Sequence, residues 1–187
     1  MQQKIKTDDK DIKKANRVRL IKSYEVLKQS YIDYIREWEN SGEEITPQAS
    51  CRGGLSFPEL LKKWKREQTE IMFEKGLVPC TLYFLMGREN RVLGAIHHRH
   101  ELNDSLLENG GHIGFGVRPS ERHKGYASLM LRMLLNKLQL IGYDEVLITC
   151  NDDNIASAII IEKNHGILYK KPVYDGVKTR QYWIEFN

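Results

Sequence analysis

The chain has 187 residues, of which 41% are hydrophobic and 29% charged, and this is ordinary for a globular domain with a sizeable core. No apolar run approaches the roughly 20 residues of a membrane span, and the N-terminus lacks the apolar stretch of a signal peptide. The net charge of +4 is concentrated in residues 1–22, which carry eight Lys and Arg against three Asp. We therefore predict a cytoplasmic protein with a flexible basic arm at 1–15, one domain at 16–187, and neither nucleic-acid nor membrane partners.

The spacing of apolar residues and turn residues predicts about seven strands and four helices. Polar stretches at 41–55 and 103–111 are predicted loops, and Ser56 with Glu59 forms the capping box of a helix start. The order predicts an α/β (α+β) fold, with a central mixed, mostly antiparallel sheet and helices on both faces. The predicted strands are 18–22, 81–87, 91–102, 112–117, 145–150, 167–171 and 180–186, and the helices are 23–38, 56–75, 127–141 and 154–164.

The three cysteines, Cys51, Cys80 and Cys150, are far apart and form no Cys-x-x-Cys pair. They therefore indicate neither a disulfide framework nor a zinc site. Cys150 ends an apolar run, where a small core residue is a commoner role than a nucleophile.

The segment 112–127, HIGFGVRPSERHKGYA, joins a strand to a helix through a basic turn. Apolar residues alternate with His112 and two glycines along the strand, so the two sets lie on opposite faces. At a helix start the free N–H groups and the helix dipole favour an anion, and Gly125 permits a close approach of the backbone. Arg122 and Lys124 add positive charge. The turn therefore predicts a phosphate site, but it matches neither the Walker nor the dinucleotide pattern.

The same turn carries a family signature. Arg122, Gly125 and Ala127 match Arg/Gln-x-x-Gly-x-Gly/Ala, the acyl-CoA signature of the GNAT-type N-acyltransferases, and the chain resembles a bacterial branch of that family. A second family segment, Asn-x-x-Ala/Ser…Glu-Lys…Gly, is matched from Asn154 to Gly166. The resemblance implies the GNAT fold and transfer of an acetyl group from acetyl-CoA to a primary amine of a small molecule or peptide.

The resemblance also implies how the cofactor is held. Backbone N–H groups of the turn would bind the pyrophosphate, and the pantetheine arm would run beside the strand, where Gly114 and Gly116 leave room. A backbone N–H of that strand would polarise the thioester carbonyl. The implied cofactor-binding residues are Phe115, Gly116, Val117, Arg122, His123, Lys124, Gly125, Tyr126, Ala127, Asn154 and Ser157.

The reaction needs a group that accepts a proton from the amine. His112 is the first candidate, because an ordinary histidine pKa near 6.5 suits this role, and because it precedes the cofactor strand. Glu101 and His100 are the alternatives. A histidine that only makes a hydrogen bond near a strand end is the simpler interpretation of His112.

The pattern leaves open which acid would protonate the leaving thiolate. Many family members carry a Tyr before the Glu-Lys pair, and this chain has Ile161 there. Tyr169, Tyr174 or Cys150 could replace it, and a solvated thiolate would need no acid.

The cluster His97-His98-x-His100 resembles a metal site at first sight. Neighbouring residues of a strand point to opposite faces, so only two of the three share a face, and no metal is predicted. The histidines could instead line a substrate pocket.

Two other functions stay open from the sequence. The domain could bind acyl-CoA as a sensor without catalysis, or it could retain the fold as a protein-interaction module. The pattern does not identify the acceptor amine, and it leaves open a homodimer.

Overall fold

The computed structural model describes residues 18–186, and the predicted arm at 1–15 lies outside them. Within 18–186, no helix is long and apolar enough to cross a membrane. The strands are β1 (Arg19–Lys22), β2 (Cys80–Met86), β3 (Val92–Arg99), β4 (Ile113–Val117), β5 (Glu145–Asn151), β6 (Ile167–Lys170), β7 (Val173–Tyr174) and β8 (Val177–Glu185). The α-helices are α1 (Lys28–Ser41), α2 (Phe57–Arg66), α3 (Asp104–Glu108), α4 (Tyr126–Leu140) and α5 (Ile155–Lys163).

The sheet is mixed and mostly antiparallel, as predicted. Its strand order is β1-β2-β3-β4-β5-β8-β6, with β7 paired to β8. Only β4 and β5 run parallel to each other. The described sheet has one strand beyond the seven segments predicted, because Val173–Tyr174, which lies between the last two of them, pairs with the start of β8.

Helices cover both faces of the sheet, which confirms the predicted layers. On one face, α4 and α5 bury residues such as Met130 and Ile161 against the strands. On the other face, α1 and α2 pack on β2 through an aromatic group. There the ring of Tyr31 lies 5.4 Å from that of Trp64 and 6.0 Å from that of Phe84.

Two predicted helices are shorter than their apolar spacing suggested. The first begins at Lys28, because residues 23–25 form a 3-10 turn between β1 and the helix layer. The second ends at Arg66. There the side chains of Gln68 and Thr69 donate hydrogen bonds to the carbonyls of Trp64 and Arg66, and Thr69 adopts an extended backbone. Side chains that bond to nearby carbonyls in this way compete with the helical ladder.

Strands β4 and β5 are joined only at one end. Ile113 pairs with Ile148, and the N–H of His112 donates to the carbonyl of Leu147 at 2.7 Å. No residue of β4 beyond Ile113 is paired with β5 in the described sheet. The two strands therefore diverge towards their carboxyl ends, where a groove can open.

Gly111 makes this junction feasible. Its backbone is left-handed, with φ of +64°, and an added Cβ would lie 2.6 Å from the carbonyl oxygen of Leu147. A side chain at this position would therefore push β5 away from the start of β4.

A buried arginine ties the turn after β4 to α1. The side chain of Arg118 is 3% exposed, and its guanidinium bonds to Glu37 and, at 2.9 Å, to Asp33. Glu37 also accepts a 2.7 Å hydrogen bond from the N–H of Ser120. Partial burial alone would raise the pKa of Glu37, but the hydrogen bonds from Ser120 and Arg118 lower it below the ordinary value. The turn thus has a fixed position relative to the helix layer.

Gly111→Ala should destabilise the fold by about 3 kcal/mol, because a left-handed alanine costs about 1 kcal/mol and the clash with backbone adds about 2. Gly53→Ala is the matched control, since Gly53 also has a positive φ but has nothing within 4 Å of the added Cβ. Urea unfolding of both variants measures the difference. Equal losses in the two variants would contradict the proposed role of the Gly111 contact.

Candidate active site

A cleft of about 760 Å³ opens beside the carboxyl end of β4. Its walls come from β4, the turn at 118–125, the start of α4, helix α5, and the loop after α1. The residues that line it are Trp38, Glu43, Glu44, Thr46, Phe115, Gly116, Val117, Glu121, Arg122, His123, Gly125, Tyr126, Ala127, Ser128, Asn154, Ala156, Ser157, Ile159, Ile160 and Lys163.

The basic turn enters α4 through left-handed backbone. Gly125 is the N-cap of α4 with φ of +74°, and its carbonyl accepts the first helical hydrogen bond, from the N–H of Leu129. N–H groups of a first helical turn have no partner within the helix, and they favour an anion. Lys124 is the one predicted cofactor residue that does not line the cleft, because its ammonium folds back onto Ser120 and Glu121.

The edge of β4 that faces β5 is free of strand pairing in the cleft. The carbonyl of His112 accepts from Arg99, and the N–H of Arg118 donates to Leu93, so even-numbered residues bond to β3. Alternation along an antiparallel pair then directs the backbone groups of Phe115 and Val117 towards the cleft. These groups can bond to an extended ligand as a further strand would.

The glycine face of β4 is occupied by the chain itself. An added Cβ at Gly116 would lie 2.0 Å from the carbonyl oxygen of Thr46, and one at Gly114 would lie 3.9 Å from Pro47. The prediction that these glycines leave room for the pantetheine arm is therefore wrong at Gly116. The glycine admits the loop after α1, and the β5-facing edge of β4 is the surface that remains for the ligand.

Helix α5 supplies the opposite wall. The Asn154 side chain caps the helix by accepting a 3.0 Å hydrogen bond from the N–H of Ser157, and both residues line the cleft. The Asn164 amide donates to the hydroxyl of Ser128 at 3.0 Å, which ties the end of α5 to the start of α4. Ile161, at the position where the resemblance implies a Tyr, is fully buried in the core and does not line the cleft.

Four residues of the cleft precede β4 in the chain and were not predicted: Trp38, Glu43, Glu44 and Thr46. Arg122 reaches them from the turn. Its Nη1 and Nη2 donate to the two carboxylate oxygens of Glu43 at 2.8 and 2.7 Å, and its guanidinium lies 5.1 Å from the ring centre of Trp38. The hydrogen bonds from Arg122 hold the pKa of Glu43 below its ordinary value. No sequence motif marks this loop, because its contacts are long-range.

Comparison with known proteins identifies the domain. The sequence profile of the acetyltransferase (GNAT) domain matches residues 37–166. The chain belongs to the GNAT acetyltransferase family. It is therefore an acetyltransferase of this family, and the fold and activity implied by the signature in the basic turn are confirmed. The chain matches no curated protein sequence.

Solved structures of GNAT enzymes share the fold at low identity. Spermidine N-acetyltransferase from Vibrio cholerae is 12% identical with a TM-score of 0.60, over 91% of this chain and 94% of that one. An acetyltransferase from Salmonella typhimurium that modifies the N-terminal serine of ribosomal protein L7/L12 is 15% identical with a TM-score of 0.62, over 91% and 96%. A ribosomal L7/L12 α-N-protein acetyltransferase bound to coenzyme A is 16% identical with a TM-score of 0.62, over 90% and 94%. At these identities the similarity shows the fold alone.

The predicted proton-transfer residues lie away from the residues that line the cleft. Tyr169 is 65% exposed on the edge strand β6, and Glu101 is exposed after β3. Tyr174 is exposed on β7, and burial raises the pKa of the half-buried Cys150. Their catalytic roles stay predictions.

His112 is buried at the junction of β4 and β5. Its Nδ1 accepts a 2.9 Å hydrogen bond from the N–H of Leu147, which is the structural role that the sequence left open. Burial and, to a smaller extent, the nearby charge of Arg99 lower the pKa of His112 to about 4. A neutral histidine of such low basicity is a weak proton acceptor at neutral pH.

The two histidines of β3, His97 and His98, also have lowered pKa values. Burial lowers the pKa values of His97 and His98 to about 3. His98 is 3% exposed, and its Nε2 has no hydrogen-bond partner among the described residues. His100, which follows β3, does have a hydrogen-bond partner, because its Nε2 lies 2.8 Å from the hydroxyl of Thr81. In residues 18–186 no group of three or more His, Cys, Asp or Glu side chains is placed to hold a metal ion.

These buried histidines should make the fold sensitive to acid. A histidine with a lowered pKa in the folded state stabilises the fold above pH 6.5. This contribution is lost as the pH falls from 6.5 towards the pKa in the folded state, which is about 3 for His98. His98→Asn should therefore make the free energy of unfolding depend less steeply on pH in this window, by about 1.4 kcal/mol per pH unit. Urea unfolding at several pH values measures the slope. His165→Asn, at an exposed position, is the control. A wild-type slope in the His98 variant would refute this account.

Proposed function

We propose that this acetyltransferase moves an acetyl group from acetyl-CoA directly to a primary amine of a small molecule or peptide. The observation that supports it best is that the predicted cofactor residues, Lys124 excepted, line one cleft beside β4. The cytoplasm is the compartment that the sequence predicts. A homodimer, and the absence of nucleic-acid and membrane partners, also stay predictions.

The pyrophosphate would lie at the start of α4. Gly125 gives the backbone a left-handed turn into the helix, and no acidic residue is present in the first helical turn. Arg122 and His123, which precede this turn, also line the cleft. The combination of helix dipole, backbone donors and the nearby Arg122 guanidinium suits a diphosphate.

The pantetheine arm and the acetyl group would follow the free edge of β4. Bonds from an extended amide chain to the backbone of Phe115 and Val117 would place the thioester carbonyl beside a backbone N–H. Such a donor stabilises the negative charge that develops on the carbonyl oxygen during attack. The opposite wall, at Ser157 and Ile160, confines the arm and excludes water from part of its length.

The chemistry then consists mainly of positioning. The neutral amine attacks the carbonyl carbon, the carbon–sulfur bond breaks, and the coenzyme A thiolate leaves. The amine loses one proton to a base or to water. The low basicity of His112 favours water as the immediate acceptor, and the thiolate can take its proton from solvent.

The turn provides a sharp test of cofactor binding. Gly125→Asp and Gly125→Asn have nearly the same shape, and both residues tolerate a left-handed backbone, but only Asp adds a negative charge. We expect Asp to weaken coenzyme A binding at least about tenfold relative to Asn, because it repels the pyrophosphate. Isothermal titration with coenzyme A measures this ratio. Equal affinities in the two variants would place the pyrophosphate elsewhere.

Turnover separates the enzyme from a sensor that only binds acyl-CoA. Release of free thiol from acetyl-CoA in the presence of a panel of amines reports transfer, and the release without amine gives the background. Tight coenzyme A binding without amine-dependent thiol release from any member of a broad panel would favour the sensor.

His112→Gln tests whether this histidine acts in proton transfer or in folding. From its burial and its bond to β5, we expect a lower melting temperature and a turnover number within about threefold of wild type. Kinetics with a verified acceptor, measured well below the melting temperature, decide between the roles. A loss of about 100-fold or more in turnover with unchanged acetyl-CoA binding would instead establish His112 as the base.

A further inference from the structure

Arg122 joins the two sides of the cleft. It belongs to the turn that would bind the pyrophosphate, yet its terminal nitrogens both donate to Glu43 and its plane lies near the ring of Trp38. Its Nε points to the carbonyl of Val117 at 3.4 Å. Every nitrogen of the guanidinium thus already has a partner within the chain.

The partners of Arg122 form a binding arrangement for a cation. A carboxylate that accepts two parallel hydrogen bonds and an aromatic face beside it are both suited to positively charged groups. We call Glu43 and Trp38 the cation subsite. The rigid part of this subsite is Trp38, which is 3% exposed at the end of α1. Three residues after Glu43, the backbone of Thr46 lies against Gly116, so this part of the loop lies beside β4.

Glu43 and the cofactor compete for the same guanidinium. A pyrophosphate at the start of α4 carries two negative charges and would draw Arg122 towards it. The pair with Glu43 is half-exposed, and exposed ion pairs are weak because water screens them. The exchange from Glu43 to the pyrophosphate is therefore feasible, and it leaves a carboxylate without its cation inside the cleft.

We propose that Arg122 fills the cation subsite until acyl-CoA binds, and that the subsite then receives a positively charged group of the acceptor. This inference rests on the proposed function and adds two properties to it. The acceptor is an amine that carries a second cationic group, and it binds after the cofactor. Glu43 is the residue that selects it.

The position of the subsite agrees with this role. Glu43, Trp38 and Phe115 line the same cleft, so a molecule held at the subsite would share that cleft with the thioester arm on β4. Glu44 also lines the cleft, but the structure shows no ion pair between its carboxylate and Arg122. It therefore provides a matched control that removes the same charge from the same cleft.

The first experiment measures coenzyme A binding by isothermal titration in wild type, Glu43→Gln and Glu44→Gln. Both variants remove a negative charge that repels the cofactor, but only Glu43→Gln frees Arg122. We expect Glu43→Gln to bind coenzyme A about threefold tighter than Glu44→Gln, which is the scale of an exposed ion pair. Equal affinities would overturn the competition.

The second experiment measures acceptor selectivity with acetyl-CoA, linear diamines and the matched linear monoamines. Wild type and Glu44→Gln should favour the diamines, and Glu43→Gln should raise the KM for diamines about tenfold without affecting monoamines. Titration of a diamine should show tighter binding in the presence of coenzyme A than without it. A diamine preference that survives in Glu43→Gln, or diamine binding that ignores coenzyme A, would overturn the proposal.

Failure of the proposed function has a different signature. In that case wild type itself would bind no coenzyme A, or would release no thiol with any amine, and both proposals would fall. If wild type binds coenzyme A and acetylates monoamines and diamines equally well, the proposed function stands and the cation subsite alone is refuted.

Discussion

The divergence of β4 and β5 is the constraint on which the rest of the site depends. The two strands are joined at one end, by the register pair of Ile113 with Ile148 and by the hydrogen bonds between His112 and Leu147. Gly111 permits this close approach, because it has no Cβ to meet the carbonyl of Leu147. Parallel strands normally satisfy each other's backbone groups along their whole length. Here one edge of β4 lacks its strand partner, so an extended ligand can complete the sheet. Separation of the strands thus leaves backbone hydrogen-bonding groups of β4 available to an extended ligand.

Two arginines of the turn after β4, Arg118 and Arg122, have different roles because they are buried to different extents. Arg118 is enclosed between α1 and the sheet, where removal of its partners would leave a charge without water, so it fixes the turn. Arg122 is partly exposed, and its ion pair with Glu43 can exchange for another anion at little cost. A fixed turn that carries a movable cation is well suited to link the binding of one substrate to the binding of another.

The histidines show that the pKa and the possible role of one residue type depend on where the fold places it. In the sequence, His112 appeared suited to proton transfer, because an ordinary histidine titrates near neutral pH. In the fold it bonds to the backbone of β5 and is desolvated, which lowers its pKa to about 4. His98 is likewise enclosed with a low pKa. Burial depends on elements distant in sequence, so no local pattern could have revealed it.

The sequence by itself determined the layered sheet, the basic turn and most of the predicted cofactor residues that line the cleft. These follow from local physics: apolar periodicity sets strands and helices, Gly125 sets the left-handed entry into α4, and Asn154 sets the cap of α5. Helix ends were predicted less well, as at Arg66, where side chains of the following residues bond to the last carbonyls.

Only the tertiary structure decided which residues face the cleft from the other side. Trp38 and Glu43 meet Arg122 across about 80 residues of chain, and Thr46 fills the space over Gly116. Such contacts depend on how the loop after α1 packs on β4, and the composition of that loop carries no period or motif to predict it. The predicted cofactor residues that line the cleft come from two short segments, 115–127 and 154–157, whose local patterns can be read from the sequence. The side of the cleft at Trp38 and Glu43 forms only after the chain has folded.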